Sequence, residues 1–196
     1  KVYDLHCDGF VAVGAGAGGH AGPNALHVLI EGLQRQFPDT PVLAAGGIAT
    51  GKSMLAMEVL GASGASVGTR FIASQEASVS EAYKQGIVEA GMDDIVLSEK
   101  LSGTPCNIIN TPYAKKIGYK QNWLEAYLNK HKTLRKYFKT FVQLKGMRRL
   151  EKSIKPGNYN SLWTAGQSAE MIKDVRPISE IVQLFKDEYS SAKKHI

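Results

Sequence analysis

The sequence has little cysteine: two residues, Cys7 and Cys106, in 196. They are far apart and in neither CxxC nor metal-ligand spacing. A disulfide scaffold, a structural zinc site and a dithiol redox centre are therefore excluded as organising features. Two plain thiols fit a reducing compartment, so a cytoplasmic location is expected. No apolar run approaches the roughly 18 residues that a membrane span needs. The opening residues Lys1-Val2-Tyr3-Asp4-Leu5-His6 lack the apolar stretch of a secretory signal. An initiating Met is missing as well. Either a removed leader or a position in the back part of a longer protein is expected from that. There is no internal repeat and no low-complexity tract.

What is present is ordinary globular composition, 43% hydrophobic and 21% charged. Such a chain can bury the core of one domain, or of one domain plus an appendage. The formal net charge of +6 is unevenly spread. Residues 1–112 carry 6 Lys/Arg against 11 Asp/Glu, residues 113–155 carry 13 against 2, and residues 156–196 carry 5 of each. The basic character belongs to one segment. It gives no ground for reading the whole chain as a nucleic-acid binder.

Short apolar runs alternate with helical patterns through residue 112. Gly9–Gly14, Pro41–Ala45 and Gly64–Gly68 read as strands. Asn24–Phe37 and Gly51–Leu60 read as the helices between them. That order indicates βαβ units and a parallel sheet covered on both faces. Ser78–Ala90 reads as helix, and 91–120 as mostly loop. Gln121–Leu144 has helical apolar spacing with Lys and Arg between. Pro156-Gly157 ends it, and a last helix is expected over Ile178–Ala192.

Glycine gathers after each expected strand: Gly14 to Gly22, then Gly46-Gly47, then Gly68. In parallel α/β folds ligands bind at the carboxyl ends of strands. Glycine there lets main-chain N–H groups approach an anion such as a phosphate. Gly46 to Ser53 also fits GxxxxGK[ST], a nucleotide phosphate loop. However, the strand after it does not end in the carboxylate that would hold Mg²⁺, so a nucleotide site is set aside. His20 follows the first glycine cluster. An imidazole at a strand's carboxyl end suits proton abstraction or anion pairing. His6, His27, His131 and His195 have no comparable setting, and no metal site is expected.

Three segments taken together resemble the back half of the nitronate monooxygenase family, also called 2-nitropropane dioxygenase-like. They are Ala17-Gly18-Gly19-His20-Ala21-Gly22, Pro41 to Gly51, and Leu60 to Phe71. The likeness continues through Glu76, Tyr83-Lys84, Asn110 and Gly166 to Ile172. It implies an α/β fold, the carboxy-terminal part of a (β/α)₈ TIM barrel comprising strands six to eight, with an added basic helical segment. Residues 1–112 would be barrel, 113–160 a basic amphipathic insert, and 161–196 a terminal helix closing the barrel. A whole barrel takes about 250 residues. These residues alone are therefore expected to fold poorly and not to hold the cofactor.

The resemblance also implies non-covalent FMN. Its phosphate would lie on Gly47, Ser66, Val67, Gly68 and Thr69, with Gly18 near the flavin. His20 matches the family's active-site histidine, a base toward a nitroalkane or a partner for a nitronate, and O₂ reoxidises the flavin. The implied partners are thus a small nitronate-like substrate and O₂, and a homodimer is allowed. Many members carry Gln-Gly-x-Glu-Ala-Gly-Gly-His, with the Gln touching the flavin. Here Val13 and Gly16 replace that Gln and the Glu. FMN-dependent enoyl-acyl-carrier-protein reductases share the same segments and supply the alternative enzyme reading.

The basic segment reads first as an amphipathic helix with Lys stems over the rim. An acidic cosubstrate (an acyl-carrier protein or coenzyme A), an anionic membrane surface or nucleic acid are the other readings. A cofactor-free basic interaction module is the non-enzyme alternative.

Overall fold

A computed structural model of the chain describes residues 7–101, 104–120 and 162–196. The expected helix Gln121–Leu144, the break at Pro156-Gly157 and most of the 113–160 segment lie outside the described residues. In chain order the elements are β1 (Phe10–Val13), β2 (Gly19–His20), α1 (Leu26–Gln36), β3 (Val42–Ala45), α2 (Gly51–Val59) and β4 (Gly64–Ser66). Then come α3 (Thr69–Ile72), α4 (Glu81–Glu89), β5 (Ile95–Ser98), β6 (Cys106–Ile109), α5 (Pro112–Ile117) and α6 (Ile178–Lys193).

The three expected strands form one parallel sheet in the order β1-β3-β4. Val13 lies beside Ala45, and Ala45 beside Ser66, so the carboxyl ends are level. On one face Ala12, Val42 and Ala44 are buried with Ile30 of α1 and Ile48. Fully burying a side chain such as Ile30 contributes roughly 1.5–3 kcal/mol. The other face departs from the expected two-sided cover. Among the described residues Val11 and Leu43 stay 57% and 40% exposed. Period-two alternation forces this once the first face is committed to the helices.

Helix α2 starts at a capping box. Ser53 N–H donates to Thr50 Oγ1 at 3.1 Å, and Thr50 N–H donates to Ser53 Oγ at 3.1 Å. Helix α6 lies against it so closely that a Cβ at Gly51 would collide with the Phe185 carbonyl and the Tyr189 N–H. Only glycine admits that approach. Helix α6 itself begins at Ile178, whose N–H donates to the Glu76 carboxylate at 3.0 Å.

The expectation of loop over 91–120 is wrong. This stretch contains β5, β6 and α5, and β6 pairs antiparallel with both β5 and β2. The four residues of β6 are all buried. Each strand has only four residues, and such short apolar runs cannot be told from buried loop by periodicity. The segment after Leu162 is more than a terminal helix. Before α6 it runs alongside the core, where Thr164 bridges to Ile108 and Arg176 to Ser74.

Candidate active site at the strand ends

The level carboxyl ends of β1, β3 and β4 open on a cavity of about 300 Å³. The chain turns away after each strand, and the turn after β3 uses backbone that favours glycine at two consecutive residues, with φ +99° at Gly46 and +76° at Gly47. Of the residues expected from the sequence, Gly18, His20, Gly47, Ser66, Gly68 and Thr69 all line this one cavity. Val67 is the exception. Its side chain faces a second, apolar cavity beside Met54, Phe71 and Phe185. Alternation past Ser66 turns it that way, which leaves only its main chain for the first cavity.

His20 is not in a glycine loop as expected. It ends β2, opposite Cys106, and is solvent-exposed at the cavity wall. Sequence reasoning missed Thr164 and Ser168, which come from the segment after Leu162 and also line the cavity. Val11, Val13, Ile48 and Ile72 supply its apolar part. None of the described lining residues is Asp, Glu, Lys or Arg.

The wall fits a phosphate ester. A Cβ at Gly47 or Gly68 would meet no protein atom within 4 Å, although both residues line the cavity. That space is open to a ligand. The N–H groups of Gly47, Gly68 and Thr69 have no hydrogen-bond partner among the described residues, and Ser66 adds a hydroxyl. Uncommitted donors with no acidic neighbour are what an anion needs.

The nucleotide-loop pattern has no such site. The α2 N-terminus is filled by chain: Gly51 N–H donates to Glu188 Oε2 at 2.7 Å. Ser53 Oγ is engaged by Thr50 and donates to its carbonyl at 2.8 Å. A carboxylate already sits where a nucleotide phosphate would lie.

Behind the wall several polar side chains are hydrogen-bonded across the fold. Thr69 Oγ1 accepts from Gly166 N–H at 3.0 Å. Tyr83 Oη donates to the Thr164 carbonyl at 2.6 Å, and its ring stacks on Trp163 at 5.5 Å. Burial pushes the Tyr83 phenol up, against hydrogen bonding to Thr164, so it stays neutral. Lys84, also buried, donates to the Gln75 carbonyl at 3.1 Å and pairs with Glu81 at 2.9 Å. Tyr119 Oη donates to Asn110 at 2.6 Å. Glu76, Tyr83, Lys84 and Asn110 thus hold the fold around the site.

Arg70, 6% exposed, donates to Asp174 Oδ1 at 2.9 Å and to the Asp174 carbonyl at 3.0 Å. Asp174→Ala would leave that guanidinium without its charge partner. The expected loss is about 1–3 kcal/mol, below that of a fully buried pair because Asp174 is 41% exposed. Thermal melting checks it. Burial raises the Asp174 carboxyl, but hydrogen bonds from Arg176 and Arg70 outweigh burial and hold it below its ordinary value. A lowered folded pKa stabilises fully above the unfolded value, about 3.9. The contribution is lost as pH falls through the lower folded pKa. Wild-type and Asp174→Ala melting temperatures should converge in acid below that range.

The sequence model described as nitronate monooxygenase matches residues 1–187. The chain belongs to the nitronate monooxygenase family. In this family context the parallel strands are part of a TIM barrel, and Val11 and Leu43 lie on the face that a closed barrel turns inward.

Among curated relatives, the chain is 33% identical over 122 residues to a (3aS,4S,5R,7aS)-5-hydroxy-7a-methyl-1-oxo-octahydro-1H-indene-4-carboxyl-CoA dehydrogenase of Rhodococcus jostii (strain RHA1). That match covers 62% of this chain and 34% of the relative. It is 36% identical over 119 residues to a probable nitronate monooxygenase of Staphylococcus aureus (strain Newman), covering 56% and 34%. The matches span about a third of these relatives' length. Among solved structures, FabK from Thermotoga maritima superposes with TM-score 0.80 at 29% identity, covering 99% of this chain and 58% of that one. A nitroalkane oxidase from Streptomyces ansochromogenes shares the fold with TM-score 0.72 at 22% identity, covering 99% and 55%.

No helix among the described residues is long and apolar enough to cross a membrane, and no cluster of His, Cys, Asp or Glu there could hold a metal ion.

Proposed function

We propose that this chain carries the phosphate-binding and proton-transfer part of an FMN-dependent oxidoreductase that oxidises a nitronate or nitroalkane with O₂. One observation carries the reading. Gly47 and Gly68 face open ligand space in the same cavity whose wall holds the exposed His20. FMN supplies the electron chemistry when bound. Gly47, Gly68 and Thr69 hold its phosphate through main-chain N–H groups, with the Ser66 hydroxyl beside them. Val11 and Val13 keep water from the apolar wall. His20 takes the proton from the nitro-bearing carbon, or holds the nitronate anion by charge. The nitronate monooxygenase relatives support this reading.

A second reading is an FMN-dependent reductase of enoyl thioesters. The likeness to FabK favours it, as does Val13, an apolar side chain on the cavity wall. Assays of the complete gene product separate the two. O₂ consumption driven by a nitronate without added NAD(P)H supports the first. NAD(P)H oxidation that requires an enoyl thioester, with no nitronate turnover, overturns it in favour of the second.

A further inference from the structure

The turn between β1 and β2 carries three consecutive carbonyls, each tied to a partner. Asn107 Nδ2 donates to the Ala15 carbonyl at 2.7 Å and to the Ala17 carbonyl at 2.8 Å. The Gln167 N–H donates to the Gly16 carbonyl at 3.2 Å. Asn107 lies on β6 directly opposite Gly19, next to the pair formed by His20 and Cys106, and is 7% exposed. A carboxamide nitrogen has two protons, and both are used here.

A trans peptide points its C=O and its N–H in opposite directions. No cis peptide occurs among the described residues. Fixing the Ala17 carbonyl on Asn107 therefore turns the Gly18 N–H away from Asn107. Ala17 and Gly18 both line the cavity, and the Gly18 N–H has no partner among the described residues.

We propose that Asn107 is a positioning residue that sets the Ala17–Gly18 peptide so that Gly18 presents its N–H to the redox group in the cavity. The inference rests on the flavin reading above. A fixed donor there stabilises the negative charge that builds on that group as it is reduced. Asn107 touches neither substrate nor reacting atoms. It acts through one peptide plane and through the strand that ends in His20. Without the clamp, the carbonyls of Ala15 and Ala17 lose their partner, the second of them in a buried contact, and the turn is free to rotate.

Two variants of the flavin-loaded, complete gene product test this. Asn107→Asp keeps the side chain's size but sets an acceptor against two carbonyls. Asn107→Ser adds no charge and leaves one donor in a smaller side chain. The readouts are the reduction potential of the bound flavin, its visible band positions and its dissociation constant. Both variants are expected to show a more negative potential and displaced bands, with flavin held roughly tenfold or more weaker in Asn107→Asp. If Asn107→Asp fails to fold, Asn107→Ser decides alone. Wild-type potential and bands in a folded, flavin-loaded variant would overturn the positioning role and leave the flavin reading standing. A wild-type protein that binds no flavin would overturn both.

Discussion

Replacing His20 with Gln is expected to lower kcat/KM for a nitroalkane by about 10²–10⁴-fold, the usual worth of a positioned acid–base group. Flavin content should stay at the wild-type level, because the phosphate is assigned to main-chain N–H groups of Gly47, Gly68 and Thr69, which a change of the exposed His20 side chain leaves in place. Oxygen uptake in air-saturated buffer gives the rate, and absorbance gives the flavin content. The same variant should be compared on a preformed nitronate. That substrate has already lost the proton, so a base is not needed. If His20 acts only as the base, the loss on nitronate is small. An equal loss on both substrates assigns His20 to anion pairing instead. Unchanged turnover of both substrates would remove His20 from the chemistry.

Gly68→Leu is expected to abolish FMN retention while leaving the apo protein's melting temperature nearly unchanged. Most substitutions of a glycine at a tight turn damage the fold. This one has room, since a Cβ at Gly68 meets nothing within 4 Å, and its φ of −106° suits any side chain. The added side chain fills the space assigned to the cofactor. Gly47 is a poorer test, because its φ of +76° adds backbone strain to any substitution. Gly18 is poorer still, since a Cβ there would lie 2.7 Å from Gly166 N. Equilibrium dialysis with FMN, alongside circular dichroism melting, separates lost binding from lost folding. Wild-type FMN affinity in a folded Gly68→Leu protein would remove this turn from the cofactor site.

The parts legible in the sequence are those where local pattern and tertiary role agree. The strands β1, β3 and β4 are short apolar runs ended by glycine, and the glycines mark the turns that the level strand ends require. Six of the seven expected site residues line one cavity because they follow, in order, the carboxyl ends of three strands in one register. Val67 breaks the set because alternation turns its side chain to the other side. The hidden parts depend on contacts between distant residues. Asn107 looks like a polar interruption in an apolar run until β6 is seen beside the Ala15–Gly18 turn. Thr164 and Ser168 follow no strand signal and reach the cavity only because their segment runs along Ile108. The Lys52-Ser53 pattern misleads for the same reason: the helix N-terminus it would serve is occupied by Glu188, 137 residues away.

The most direct test of the flavin site is a visible spectrum of the purified complete gene product, followed by mass spectrometry of the cofactor released on denaturation. The expected result is FMN, close to one per chain, lost in Gly68→Leu and retained in His20→Gln. A colourless protein that fails to take up added FMN would contradict it.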